Sequence, residues 1–145
     1  MYNNVTKIAI KPYAWQFVQA QLVAAGQKVV VVELPGHGTD QRSPGTLTLN
    51  SYCNKVVAAI TAINGPVVLV GQSLGDVIIT AVADTIPTNI EKLVYLAGFI
   101  PTNGQSVIDM NSMDPKSQLT PALASRISKS ISIWPCLLTT RSHQQ

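Results

Sequence analysis

Apolar positions along the chain follow two alternating periods, one of strands and one of helices. Val5 to Ile10 is a short β-branched run. Tyr13 to Ala25 then carries Trp15, Val18, Leu22 and Ala25 at helical spacing, and Gly26 stands where a left-handed cap ends a helix. Lys28 to Leu34 holds four consecutive valines with no polar alternation, which predicts a strand covered on both faces as in a parallel sheet. Pro35 to Gly45 is turn-rich. Beyond it, Thr48 or Asn50 can cap a helix carrying Tyr52, Val56, Ile60 and Ile63, closed by Gly65. Pro66 to Val70 reads as a third strand, Leu74 to Ile86 as a third helix and Lys92 to Ala97 as a fourth strand. After Gly98 the pattern weakens: Pro101 to Asp109 reads as loop, Leu119 to Ile127 as a helix, and Ser128 to Gln145 takes no assignment.

Strand and helix thus alternate, and parallel neighbours need right-handed crossovers that place helices on both faces. The expected architecture is a doubly wound α/β sheet of four mainly parallel strands in the order second, first, third, fourth. A chain of 145 residues is about one domain. It divides into a core over residues 1–115 and a polar, basic C-terminal segment over residues 116–145.

Composition narrows the classes. With 46% hydrophobic and 12% charged residues the chain is not disordered. No apolar run nears the roughly 18 residues of a membrane span, and Met1 to Ile10 lacks the apolar stretch of a signal peptide. The expectation is a soluble, cytoplasmic protein with no membrane partner. Cys53 and Cys136 match neither a disulfide framework nor a metal-ligand spacing, so both are read as free thiols, with no metal. The net charge of +3 suggests nucleic acid until it is divided by region. Six Lys/Arg and seven Asp/Glu precede Lys116, whereas Lys116, Arg126, Lys129 and Arg141 follow without an acid. Basicity confined to a Ser/Thr-rich segment, without interleaved aromatics, is not a phosphate-tracking surface, so no nucleic-acid partner is expected.

The segment that carries chemistry is Gly71-Gln72-Ser73-Leu74-Gly75, entered from the buried run Pro66 to Val70 and leaving into a helix. This is a Gly-x-Ser-x-Gly nucleophile elbow in its strand-turn-helix setting. A sharp turn there projects the Ser73 hydroxyl above the sheet, Gly71 and Gly75 permit close approach of strand and helix, and the Leu74 N–H at the helix start can stabilise an oxyanion. The bland alternative is an ordinary strand-to-helix turn with a serine cap. A Walker phosphate loop is excluded because Gly75-Asp76-Val77 has an acid where lysine is needed, and Gly36-His37-Gly38-Thr39-Asp40-Gln41 lacks the third glycine of a dinucleotide fingerprint.

Three segments together resemble a known family: Leu34-Pro35-Gly36-His37-Gly38 after the second strand, Gly65 to Gly71 before the elbow, and Lys92 to Ala97 followed by Pro101 and Gly104-Gln105-Ser106. They are similar to the α/β-hydrolases, in particular the small esterase branch of plant methylesterases and hydroxynitrile lyases. The resemblance runs from about Tyr13 to about Ile133 and implies hydrolysis of a small carboxylic ester without a cofactor, with Ser73 matching the nucleophile. The family's His-Gly pair after the first strand, which supplies a second oxyanion N–H, is missing. A substitute would come from the Lys11 to Tyr13 loop, where Pro12 has no N–H, so Tyr13 is the candidate. Gln72 and Asp76 stand where the family commonly has His and Gly. The chain ends where the family's cap would begin, before its catalytic acid and histidine, so it looks like the front half of such an enzyme: a truncated α/β-hydrolase core.

A serine hydroxyl needs a base, and the chain has two histidines, His37 and His143. His37 lies on the elbow side of the sheet, where the family's matching His-Gly turn ties a loop. His143 lies on the terminal segment, which could fold over the elbow or reach a neighbouring subunit. Neither is preferred. Asp40, Asp109 and Asp114 are candidate orienting acids, though each reads first as an exposed turn carboxylate, and Asp76 is explained by the helix dipole. Trp15, Tyr52, Tyr95 and Phe99 read as core or pocket wall. The rival to a serine esterase is a weak or inactive core that binds small molecules or self-assembles. The fourth strand, apolar on both faces, predicts pairing with a second copy into a homodimer or higher homo-oligomer.

Overall fold

A computed structural model describes residues 4–9, 12–63, 65–98, 100, 102 and 113–116. The expected helix at Leu119 to Ile127, the loop of Pro101 to Asp109 except Thr102, and Phe99, Cys136 and His143 lie outside the described residues. Four strands, β1 (Asn4–Ala9), β2 (Lys28–Glu33), β3 (Val67–Gln72) and β4 (Ile90–Leu96), form one sheet in the order β2-β1-β3-β4. All pairings are parallel. Three helices, α1 (Pro12–Ala24), α2 (Leu49–Thr61) and α3 (Leu74–Thr85), make the crossovers.

β3 sits between β1 and β4, and its residues Val67 to Gly71 are all buried. Alternate side chains on such a strand face opposite ways. Val67 and Leu69 accordingly join the larger core with Tyr52, Val56 and Ile60 of α2 and Ile78, Ile79 and Val82 of α3. Val68 and Val70 pack on the other face against Trp15 of α1, with Val31 and Val94 beside them. Helices on both faces follow from a central strand with no polar side.

The helix ends have local causes. Pro12 opens α1, where its missing N–H is no loss. The Gln27 N–H donates to the Leu22 carbonyl at 2.9 Å and the Gly26 N–H to Val23 at 2.9 Å, with Gly26 at φ +77°, which together form a Schellman motif. Thr48, not Asn50, caps α2: the Ser51 N–H donates to Thr48 Oγ1 at 3.2 Å, and the Thr48 N–H donates back to Ser51 Oγ at 3.0 Å. α2 stops at Thr61 with Ala62 as its cap, short of Gly65.

Three expectations are corrected. The valines of β2 are covered on both faces, Val30 and Val32 by the larger core and Val31 by the Trp15 cluster, but less completely than expected; Val29 to Val31 are half-buried and only Val32 is buried, because β2 is the outermost of the described strands on its side. The stripe of α1 is Trp15, Gln19 and Leu22, with Val18 43% exposed, since the helix is rotated by its seat over β2. Residues 12 and 13 belong to the first turn of α1 and not to a loop.

Candidate functional site

Because every strand runs the same way, the C-terminal ends of β1, β2, β3 and β4 lie along one edge of the sheet. The chain reverses its winding direction between β1 and β3, and ligands of open α/β sheets bind outside the strand ends at such a switch point. The first turn of α1, the Leu34 to Asp40 turns, the Ser73 turn and the Ala97-Gly98 exit from β4 all follow strand ends on that edge.

Ser73 links β3 to α3 at φ 53° and ψ −118°, a backbone conformation that L-residues rarely hold. Its side chain makes no capping hydrogen bond, and the residue is exposed. Two backbone bonds anchor it: its N–H donates to the Leu96 carbonyl at 3.3 Å, and its carbonyl accepts from the Asp76 N–H at 3.0 Å. A Cβ on Gly71 would lie 2.7 Å from the Gly75 carbonyl carbon and 2.8 Å from the Asp76 nitrogen, so strand and helix approach this closely only over glycine. Gln72 is exposed and Gly75 buried. Leu74 and Tyr13 each occupy the first turn of a helix, α3 and α1, whose leading N–H groups have no intrahelical acceptor.

His37 sits in the turns after β2. Its Nδ1 lies 3.0 Å from the Pro35 carbonyl, its N–H donates to Leu34 at 3.2 Å, and its ring meets Tyr52 edge-on at 6.1 Å. In the neutral ring, an Nδ1 proton donated to Pro35 leaves Nε2 as the basic nitrogen. Among the described residues no hydrogen bond joins His37 to Ser73. Asp40 does not orient His37: its carboxylate takes Arg42 Nε at 3.0 and 2.9 Å, and that guanidinium holds it well below the usual carboxylate range. Asp114 is an exposed turn residue that accepts from the Lys116 N–H at 3.0 Å. Tyr52 and Trp15 are core, whereas Tyr95 is half-buried with its hydroxyl 3.2 Å from Thr80 Oγ1.

Asp76 departs from the dipole explanation. It is fully buried, neither carboxyl oxygen has a hydrogen-bond partner among the described residues, and burial pushes its pKa up. The nearby Leu96 backbone, short of hydrogen-bond geometry, offsets this only in part. A helix dipole acting on a solvated carboxylate would lower the pKa instead. Its placement in the first helical turn is visible in the sequence; the enclosure by Gly71 and Gly98 is not.

Among the described residues no group of three or more His, Cys, Asp or Glu side chains could hold a metal, and no helix is long and apolar enough to cross a membrane.

Comparison with known proteins agrees with this geometry. The chain is 31% identical over 93 residues to methylesterase 7 of Arabidopsis thaliana, covering 61% of this chain and 36% of that protein. It is 35% identical over 98 residues to a carbendazim hydrolyzing esterase of a Nocardioides species, with 66% and 40% covered. The alpha-hydroxynitrile lyase of Arabidopsis thaliana is 33% identical over 92 residues, with 61% and 36% covered. The chain therefore spans less than half the length of these relatives. In fold it matches an extracellular alpha/beta-hydrolase from a Paenibacillus species at a TM-score of 0.70 and 24% identity, covering 86% of this chain and 52% of the other. Polyneuridine aldehyde esterase gives a TM-score of 0.70 at 21% identity, with 80% and 49% covered. The family model described as "Alpha/beta hydrolase family" matches residues 9–141, and with the strand order and the Ser73 turn this places the chain in the α/β-hydrolase family.

Proposed function

We propose that this chain carries the nucleophile of a serine hydrolase acting on small carboxylic esters. The observation that carries the reading is the turn at Ser73: an exposed serine at φ 53°, directly after a buried strand and beside a helix N-terminus. In this reading the Ser73 hydroxyl attacks the ester carbonyl, the Leu74 N–H receives the developing oxyanion, and Tyr13 supplies a second backbone N–H. The alkoxide leaves as alcohol once a histidine hands it the proton taken from Ser73, and water then releases the acid from the acyl-enzyme. His37 or His143 serves as that base. Esterase relatives support the substrate class.

The test is labelling of the folded protein with a fluorophosphonate probe, the adduct located by mass spectrometry, beside turnover of p-nitrophenyl acetate. Ser73 should be the labelled residue, and Ser73→Ala should lose both signals. His37→Ala and His143→Ala decide the base, since loss in one variant assigns it and full activity in the double variant excludes both. Labelling at a different serine, or none, refutes the assignment of Ser73. Assembly belongs to the same reading: β4 is the outermost of the described strands on its side, with Leu96 40% exposed and Ile100 beyond it 55% exposed, a margin suited to pairing with a second copy. Light scattering after size exclusion should show a dimer or larger; a monomer at micromolar concentration excludes it.

A further inference from the structure

Asp76 is the one charged side chain among the described residues that is fully buried, and the elbow chemistry makes no use of it. At the third position of α3 a carboxylate could accept from the N–H of the capping residue, yet the Ser73 N–H is turned to the Leu96 carbonyl instead. The carboxyl lies between two glycines from different elements. A Cβ on Gly71, at the end of β3, would come within 2.5 Å of Oδ1, and one on Gly98, just past β4, would overlap Oδ2 and approach the Ser73 nitrogen to 2.9 Å. Two missing side chains thus leave a space behind the serine, and this acid fills it. The backbone on either side is held in rare conformations, φ 53° at Ser73 and φ 48° at Ala97.

Among the described residues neither carboxyl oxygen has a hydrogen-bond partner that accounts for the group. On α3 itself the other acid, Asp84, is exposed, and β3 has no titratable residue. On β4, Glu91 and Lys92 are exposed near the opposite end of the strand, while Tyr95 connects to Asp76 only through Thr80, whose Oγ1 donates to the Asp76 backbone carbonyl at 2.8 Å. Lys55 of α2 is exposed, and Lys7 of β1 pairs in register with Val70. The short 3-10 turn Pro87–Asn89 has no titratable residue. The shift arises from burial, with a partial offset from the Leu96 backbone.

We propose that Asp76 is a positioning residue for Ser73: its carboxyl group, wedged between Gly71 and Gly98, holds the exit of β4 against the elbow. The proposal rests on the reading of Ser73 as nucleophile. An ionised carboxylate without partners is strongly disfavoured in this space. Loss of its proton to solvent therefore requires water or a donor to enter, which parts Gly98 from the turn. That movement breaks the Ser73-to-Leu96 hydrogen bond and misaligns the Ser73 hydroxyl and the Leu74 N–H. The linkage has a definite sign. A carboxyl whose folded pKa is raised adds stability that is complete below its unfolded value, near 4, and is lost as pH rises from there to the folded value.

The experiment compares the whole chain with Asp76→Asn, which keeps the shape and cannot ionise, and with Asp76→Ala, which removes the wedge. Two readouts are taken: the rate of fluorophosphonate labelling at Ser73, and the urea midpoint from about pH 4 to about pH 9. Labelling should slow at least about tenfold in Asp76→Ala and be retained in Asp76→Asn, an effect of the size that misplacing a reacting group produces. The midpoint of the natural chain should fall with rising pH relative to that of Asp76→Asn. Parallel midpoints, or Asp76→Ala labelling as fast as the natural chain, overturn the proposal. If Asp76→Ala does not fold, the midpoints of the other two decide alone. Absence of labelling in every protein refutes the nucleophile assignment and the positioning role with it, whereas normal labelling with parallel midpoints refutes the role of Asp76 only.

Discussion

Replacing Ser73 by glycine and, separately, by alanine isolates the strain stored in the turn from the chemistry of the hydroxyl. Both variants lose the hydroxyl, and little packing goes with it because the residue is exposed. They differ at Cβ. At φ 53° and ψ −118° an L-residue pays a steric penalty that glycine escapes. Holding a residue in such a region costs on the order of 1–3 kcal/mol, and the extra freedom of glycine in the unfolded chain takes back about 0.5–1 kcal/mol. Ser73→Gly should therefore be more stable than Ser73→Ala by about 1 kcal/mol at the middle of these ranges and by up to about 2.5 kcal/mol. In a chain of this size each kcal/mol moves the thermal midpoint by about 2–4 °C, so the gap is within reach of calorimetry and of urea titration. Ala97, exposed and at φ 48° in the β4 exit beside this turn, supplies a second test of the same reasoning; Ala97→Gly should stabilise by about 0.5–1 kcal/mol by the same balance. A Ser73→Gly variant no more stable than Ser73→Ala, with the expected gain at Ala97, would show that the turn stores no such strain.

Two further outcomes follow from local features. Thr48→Ala removes half of the reciprocal pair with Ser51 at the start of α2 and should cost about 1 kcal/mol in urea unfolding, while Thr48→Asn should restore most of it. Cys53 is buried, and desolvation pushes its thiol up to about 11, so iodoacetamide at about pH 8 should leave its peptide unmodified in the native protein and modify it on unfolding.

The parts of this molecule legible in the sequence are those whose causes are local. The Gly71 to Gly75 turn announces itself because the buried strand, the flanking glycines and the following helix are contiguous, and the strand order follows from crossover handedness. Edge and centre are not local properties. Four valines look alike in β2 and in a covered strand, and only the position of β1 beside them decides how much each is buried. Trp15-Val18-Leu22 and Trp15-Gln19-Leu22 are both acceptable helical stripes, and the seat of α1 on the sheet selects the second. Asp76 shows the same limit at the site. Its place in the first turn of α3 suggests a solvated acid, but Gly71 and Gly98, brought together by the pairing of β3 with β4, enclose it. For the base and the orienting acid the sequence offers only residue types, since no spacing along the chain encodes their distance from Ser73.

The position of β3 also sets how the turn responds to fluctuations. Its backbone is paired on both sides, to β1 and to β4, and its residues from Val67 to Gly71 are buried, whereas β2 and β4 are the outer of the described strands. Amide protons of such a strand exchange with solvent only through the widest openings of a protein, and those of edge strands through smaller ones. Fraying of β4 therefore frees the Ser73 amide from Leu96 while the strand that carries the serine stays closed. Ser73 follows directly on the described strand expected to open last, so its lateral placement should persist while β4 frays.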